Sequence, residues 1–272
     1  MMDIFSYKIN PVSWDSRLRE LEEFLQKPIA AIEKEYLDIL DQEKALESSL
    51  YQSQGYDENL SAYYSRTNRY LYELMRWEAS LDKEHNFSML YLFLKKNKVK
   101  KILDFGGGIG GLPIYLTERG IQSDYSDIDG ITSRFAEWRF EKWGLNIRQI
   151  EVGKNLPQEE YDAVISYDVL EHLPEIEGSI KKITASLKSR GFLLSKSTFS
   201  GGGLHLKKNE VYSDIRKFNE LLKNCGLEYL GRIKKSFPAQ FFQGIGIKKI
   251  TGVRVSRKMK SGGNFLVHRK CS

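Results

Sequence analysis

A short apolar strand followed by a glycine-rich turn constrains this chain more than any other stretch. Residues 99–105 read VKKILDF, which is typical of a buried strand, and Asp104 lies at its carboxyl end. Five glycines follow it within six positions: Gly106, Gly107, Gly108, Gly110 and Gly111. Glycine lets the backbone turn sharply and approach a ligand with no Cβ in the way. A helix is predicted to begin near residue 112, so the stretch predicts a nucleotide-sized site at the carboxyl edge of a parallel sheet.

The turn satisfies two glycine patterns. Positions 106, 108 and 111 fit G-x-G-x-x-G, which indicates a dinucleotide, whereas positions 104, 106, 108 and 110 fit D-x-G-x-G-x-G. Asp104 distinguishes them, because a carboxylate beside the glycines would repel a pyrophosphate but suits a cofactor with an ammonium and a sulfonium group. The second pattern resembles the first motif of class I S-adenosyl-L-methionine (SAM)-dependent methyltransferases.

The rest of the chain alternates strands and helices in an order that agrees with this resemblance. Asp127 ends the second predicted strand, about twenty residues beyond the glycines, where an acidic side chain can bind ribose hydroxyls. The segment 168–172, DVLEH, follows the fourth strand and resembles the D-V-L-E-H segment of small-molecule members. The next helix is predicted to end at Gly191, and the fifth strand to follow it at 192–195.

The resemblance implies an α/β fold, namely a Rossmann-like seven-stranded sheet that is mostly parallel with an antiparallel last strand. Residues 1–94 are predicted to be an all-helical N-terminal cap or lid, because their apolar residues recur at helical spacing. Residues 95–272 are predicted to be the SAM-binding methyltransferase domain, with an insertion at about 238–263.

The resemblance also implies the cofactor and its site. S-adenosyl-L-methionine is the expected cofactor, with Asp104 and the glycine amides near its methionine part and Asp127 at its ribose. Backbone atoms near Val152 would contact the adenine, and Tyr167 and Asp168 would flank the methyl path. The full set of expected cofactor-binding residues is Asp104, Gly106, Gly107, Gly108, Gly110, Asp127, Ile128, Val152, Tyr167 and Asp168.

Two histidines are the candidate catalytic residues. His172 follows the fourth strand and His205 lies in the loop after the fifth, so either could take a proton from the acceptor. The alternatives are that His172 is a structural hydrogen-bonding residue and that His205 anchors its loop. The segment also resembles relatives that bind a divalent ion, at positions matching Asp168, Glu171, His172 and His205. Because the Glu-His pair is common in members without metal, we predict no metal.

Charge and composition narrow the function. From 232 to 272 there are eleven Lys or Arg and no acidic residue, whereas 1–94 carries ten basic and seventeen acidic residues. The basic end suggests an anionic partner, with a solvated surface offset by the acidic cap as the alternative. No apolar run reaches membrane-spanning length, so no membrane association is predicted. The two cysteines, Cys225 and Cys271, lack metal-binding spacing and favour a reduced, cytoplasmic setting.

Together these observations predict an enzyme that methylates an O or N atom of a small molecule. If the basic C-terminal end binds the acceptor, that molecule is anionic. One alternative is methylation of RNA or an acidic peptide through the basic C-terminal region. Another is a non-catalytic SAM-binding partner subunit. The N-terminal helices are a candidate homodimer interface.

Overall fold

The protein is described by a computed structural model that covers residues 11–39, 63–64, 67–151, 155–199, 204–236, 252–256 and 265–271. Within those ranges the strands form one sheet in the order β3-β2-β1-β4-β5-β8-β6-β7. Their bounds are β1 (Lys101–Phe105), β2 (Gln122–Ser126), β3 (Arg148–Gln149), β4 (Tyr161–Tyr167), β5 (Leu187–Lys196), β6 (Leu227–Ser236), β7 (Gly252–Ser256) and β8 (Leu266–Lys270).

The sheet confirms the predicted Rossmann-like fold. Strands β1 to β5 pair in parallel, and β8 is inserted antiparallel between β5 and β6. The described strands number eight rather than seven, because β7 pairs antiparallel with β6 at the sheet edge. That strand comes from the predicted insertion, where the alternation of small or apolar and polar residues in GVRVS is typical of a strand.

Helices cover both faces of the sheet. Their bounds are α1 (Pro11–Leu25), α2 (Arg69–Glu78), α3 (Leu81–Lys96), α4 (Gly111–Thr117), α5 (Ile131–Lys142), α6 (Ile176–Ser186) and α7 (Ile215–Asn224), and residues 29–39 are helical as well. None of the helices in the described part of the chain is long and apolar enough to cross a membrane.

Two apolar cores flank the sheet. On one face α3 contributes Leu90 and Phe93, which pack in one cluster with Ile102 of β1 and Ile165 of β4. The opposite face is covered by α6 and α7. Burial on both faces explains why β1 and β4 read as nearly continuous apolar runs. Although α3 begins inside the predicted cap, it therefore packs directly on the sheet, and the division at residue 94 stays a prediction.

The N-terminal helices are clamped onto the glycine turn by buried charges. Arg139 of α5 is 1% exposed and donates to Glu78 of α2 at 2.7 and 3.1 Å and to the Ile109 carbonyl at 2.8 Å. Arg17 of α1 reaches the same Glu78 carboxylate at 3.1 Å. Leu21 of α1 lies in an apolar cluster that also contains Ile109 of the turn. We call the ion pairs of Glu78 with Arg139 and Arg17 the clamp. The clamp holds α2 over the carboxyl edge of the sheet.

One element boundary was predicted wrongly. Helix α6 ends at Ser186 and not at Gly191, because Leu187 is already extended and pairs with Tyr161. The pairing then skips to Phe192 opposite Ala163, so residues 188–191 form a bulge. A Cβ on Gly191 would lie 3.0 Å from the Lys188 carbonyl oxygen. The glycine therefore allows a tight bulge inside β5 rather than ending a helix.

Candidate functional site

The glycine turn forms the floor of a cavity at the carboxyl edge of the sheet. Gly106 and Gly108 have φ values of +76° and +56°, in the left-handed region that favours glycine. Both Gly106 N–H and Gly107 N–H donate to the Ser126 carbonyl, at 2.7 and 3.2 Å, which ties the turn to β2. A Cβ on Gly108 would lie 2.8 Å from Leu74 Cδ1 across the cavity. The absent side chains thus keep the floor open beneath α2.

Two carboxylates border this floor. Asp104 is 3% exposed, and burial raises its pKa to about 7, although Lys83 opposes the rise. Asp127 accepts hydrogen bonds from Gly108 N–H at 2.5 Å and from Ile128 N–H at 2.7 Å. Burial also raises the pKa of Asp127, to about 6. Both groups lie at adjacent strand ends, as the parallel arrangement of β1 and β2 requires.

The end of β4 contributes Tyr167 and Asp168. Tyr167 accepts hydrogen bonds from Asn86 Nδ2 at 2.5 Å and Lys196 Nζ at 3.0 Å, which fixes its ring. Asp168 has a φ of +55°, a strained value for a residue with a side chain, and its N–H donates to the Lys196 carbonyl at 2.7 Å. Burial raises the pKa of Asp168. Strain of this kind is concentrated at functional sites, and both side chains line the cavity.

The predicted catalytic histidines lie together at the other end of the cavity. The ring centroids of His172 and His205 are 4.9 Å apart. His172 Nδ1 lies 3.1 Å from the Leu204 carbonyl and 2.7 Å from the Tyr64 hydroxyl, which itself donates to that carbonyl at 2.7 Å. Because a carbonyl can only accept, we assign the hydrogen of the neutral His172 ring to Nδ1, which leaves Nε2 without one. Burial lowers the pKa of His172 to about 4, which keeps the ring neutral at physiological pH.

Glu171 lies beside these histidines. It is 1% exposed, and its Oε1 accepts from Thr198 N–H at 2.9 Å. Burial raises its pKa to about 7, and the neighbouring Asp168 charge adds to the rise. Ligand atoms of Glu171, His172 and His205 lie within 4.8 Å of one another, a spacing that could hold a metal ion, and Asp168 does not belong to this group. The prediction of no metal stays a prediction.

The cap helices add residues to the cavity that sequence reasoning missed. Trp77 and Leu74 of α2 and Lys83 of α3 line the same space as Asp104 and Asp168. The sequence indicated only that residues 1–94 form a helical cap or lid. Because Lys83 lies in an ordinary polar helix turn, no motif could have distinguished it from a surface lysine.

Only some of the remaining predicted cofactor-binding residues line the cavity. Gly107 and Ile128 line the cavity, whereas Gly110 caps α4, and a Cβ there would meet the Phe140 ring at 2.6 Å. Val152 lies outside the described residues, as does most of the basic run from 248 to 260. The adenine contact and the nucleic-acid or peptide alternative therefore stay predictions.

The residues present fit SAM. Its ammonium and sulfonium groups would meet the Asp104 and Asp168 carboxylates. Each Asp127 oxygen has a second lone pair with which it can accept a hydrogen bond from a ribose hydroxyl. The open glycine floor leaves room that any side chain at position 108 would fill. A diphosphate would instead face three carboxylates, which is unfavourable.

Some solved structures resemble the chain weakly. They include a SAM-dependent methyltransferase, possible histamine N-methyltransferase, from Thermotoga maritima (15% identity, 75% of this chain and 97% of that chain covered, TM-score 0.48). A second is Haemonchus contortus phosphoethanolamine N-methyltransferase 2 in complex with SAM (19% identity, 54% of this chain and 38% of that chain covered, TM-score 0.44). A third is a putative sarcosine dimethylglycine methyltransferase from Galdieria sulphuraria (22% identity, 58% of this chain and 65% of that chain covered, TM-score 0.45). The chain spans less than two thirds of the last two proteins, and these likenesses decide nothing about the acceptor.

A family model gives the decisive comparison. No curated protein matches the chain in sequence. The model described as "Methyltransferase domain" matches residues 79–230, from just before α3 into the first residues of β6, which is more than half of the chain. The matched part contains the glycine turn, Asp127 and the segment from Tyr167 to His205. The chain therefore belongs to this methyltransferase family, within the class I SAM-dependent superfamily, and its cofactor is S-adenosyl-L-methionine.

Proposed function

We propose that this chain transfers a methyl group from SAM to an O or N atom of a small acceptor molecule. The observation that carries the proposal is one cavity of about 610 Å³, which joins Asp104 and Asp127 to the His172–His205 pair beneath α2. This volume is within the range of small-molecule sites. The acceptor would occupy the histidine end of the cavity.

The acceptor end of the cavity has features that suit an anionic molecule. Arg69 and Arg76 of α2 line the cavity, and Arg69 precedes Tyr70, whose ring packs on Tyr64 next to His172. Arg69 is paired with Glu73 at 2.6 Å, and both side chains are mostly buried. An acceptor with a carboxylate or phosphate could bind the guanidinium in a bidentate manner, which gives both affinity and orientation. An anionic acceptor would share Arg69 with Glu73, and this contact is what supports the proposal of an anionic acceptor.

His172 is the proposed general base. When bound, SAM supplies a methyl group attached to a sulfonium leaving group, so the protein needs no nucleophile of its own. The chain must align the acceptor, exclude water and accept a proton from a hydroxyl or protonated amine. His172 suits the last task, because its Nε2 is left without a hydrogen and the ring is neutral above a pH of about 4. Tyr64 and the Leu204 carbonyl hold the ring in that tautomer.

A screen of small acceptors tests the proposal. The protein is incubated with SAM and with hydroxyl- or amine-bearing molecules, with and without a carboxylate or phosphate. S-adenosylhomocysteine (SAH) formation and a methylated product, identified by mass spectrometry, are the readouts. We expect turnover on an anionic small molecule that changes little with salt. Turnover confined to RNA or an acidic peptide, with a steep loss as salt rises, would contradict the proposal. So would SAM binding without turnover of any acceptor, which is expected of a non-catalytic subunit.

A further inference from the structure

The ammonium group of Lys83 lies between two aromatic rings at the Asp104 end of the cavity. Its Nζ is 3.4 Å from the centroid of the Trp77 ring and 3.8 Å from that of Tyr167. The two ring centroids are 5.0 Å apart, with their planes inclined at 67°. We call this pair of rings the aromatic cage. Two ring faces directed at one point form a binding site for a single cation.

The local structure fixes both parts of this contact. Ser80 caps α3 by accepting a hydrogen bond from the Lys83 backbone N–H at 3.2 Å, which sets the direction of the lysine side chain. On the other side, hydrogen bonds from Asn86 and Lys196 hold the Tyr167 hydroxyl. The cage is therefore built into the fold.

Charged groups from several elements face the Lys83 ammonium. They are Asp168 after β4, Asp104 on β1, Glu78 on α2 and the second cation Lys196 on β5. Burial lowers the pKa of Lys83 to about 7, although the three carboxylates oppose the change. Near neutral pH the side chain can therefore lose its proton for little free energy.

The methyl donor would bring a second cation to the same place. Its ammonium requires a carboxylate, and its weakly hydrated sulfonium suits an aromatic face. Asp104, Asp168 and the aromatic cage line one continuous cavity and offer both. Two positive charges in one buried cage repel strongly, because solvent screens them little. The lysine charge and the sulfonium therefore cannot share the cage.

We propose that the aromatic cage is the subsite for the sulfonium methyl group of SAM, and that Lys83 fills it as an internal cation until SAM binding removes its proton. The proton passes from Lys83 Nζ to the solvent, and the neutral amine, which no longer gains from the ring faces, moves out of the cage and leaves it to the sulfonium methyl group. This proposal rests on SAM being the cofactor.

Isothermal titration calorimetry with SAM and with SAH tests the proposal. SAH lacks the methyl group and the sulfonium charge but keeps the ammonium, ribose and adenine, so effects of Asp104 and Asp127 are shared by both ligands. Titrations at about pH 6 and pH 8, in buffers of different ionisation enthalpy, count the protons released. We expect SAM to release about one more proton than SAH at pH 6. The SAM affinity, relative to SAH, should rise about tenfold from pH 6 to pH 8, as a group with a pKa near 7 dictates.

Matched variants distinguish the contribution of Lys83 to SAM binding from that of the aromatic cage. Lys83→Met should abolish the extra proton and make the ratio of SAM to SAH affinity independent of pH. Lys96→Met, at an exposed lysine in the last turn of the same helix, should behave as wild type. Trp77→Leu should weaken SAM binding at pH 8 several-fold more than SAH binding.

The wild-type protein alone can overturn the proposal. Equal proton release and equal pH dependence for SAM and SAH would show that Lys83 does not respond to the sulfonium. No binding of either ligand would instead overturn the cofactor assignment and this proposal with it. The two failures are therefore distinguishable in one set of titrations.

Discussion

Glu78→Gln is expected to destabilise the protein strongly, because it removes one charge of a buried ion pair. The Glu78 carboxylate accepts two hydrogen bonds from Arg139 and lies 3.1 Å from Arg17, and its side chain is 7% exposed. Glutamine keeps the shape but removes the charge. The Arg139 guanidinium would then remain buried, with its main counter-charge lost, beside the Ile109 carbonyl.

Two independent estimates give the magnitude. Removing one partner of a buried ion pair typically destabilises a protein by about 3–5 kcal/mol. Burial by itself would raise the pKa of Glu78, but Arg139 and Arg17 outweigh it and lower that pKa from 4.5 to about 2. At 1.36 kcal/mol per pKa unit, this shift corresponds to about 3 kcal/mol. For a domain of this size, a loss of about 3–5 kcal/mol lowers Tm by about 6–20 °C.

Thermal unfolding, followed by circular dichroism at neutral pH, measures the loss. The matched control is Glu177→Gln. Glu177 also pairs with a cationic side chain, that of Lys181 at 2.7 Å, but both side chains of this pair are more than half exposed. Its unfolding free energy should change by less than about 0.5 kcal/mol. The depressed pKa adds a second test, since the Glu78 contribution is present above pH 4.5 and is lost as pH falls toward 2. Equal and small losses in both variants would refute this account of the clamp.

The remaining predictions concern the cavity. Asp104→Asn should weaken SAH binding at least about tenfold in calorimetry, because the ligand ammonium loses its counter-charge. In the wild type, SAH affinity should rise with pH up to about 7, as Asp127 and then Asp104 ionise, and a flat profile would contradict the raised pKa values. His172→Gln should lower kcat by about 10²- to 10⁴-fold while the Kd for SAH stays unchanged, and an unaltered kcat would assign the base elsewhere. Chelation with EDTA should leave turnover unchanged, because Asp168 does not join Glu171, His172 and His205 in one ligand cluster; lost activity that Mn²⁺ restores would contradict this.

The floor of the site could be predicted from the sequence because its geometry is local. Asp104 and the glycines are contiguous, and the parallel pairing of β1 with β2 brings Asp127 to the same edge. The resemblance implied Tyr167 and Asp168 at this edge too, and β4 pairs with β1 on its other side. Wherever strand order and direction determine position, a motif is sufficient.

The upper part of the cavity could not be predicted, because it depends on contacts between residues far apart in the chain. Glu78 and Arg139 are 61 positions apart, and Tyr64 and His172 are 108 apart. Neither pair belongs to a spacing that a helix or strand imposes. The prediction that a helix ends at Gly191 failed for a related reason. A glycine indicates a tight backbone conformation, but it does not indicate whether a helix or a strand contains it.

These distant contacts connect the cap to the cofactor site. Helix α2 supplies Glu78 to the clamp and Trp77 to the aromatic cage, so consecutive residues hold the cap in place and bind the proposed cation. A change that loosens the clamp must therefore also move one wall of the cage. If Glu78→Gln lowers stability as argued, its SAM affinity should fall more than its SAH affinity, because only SAM carries the charge that the cage is proposed to bind. Equal losses for both ligands would separate the clamp from the cage, although both lie on the same helix.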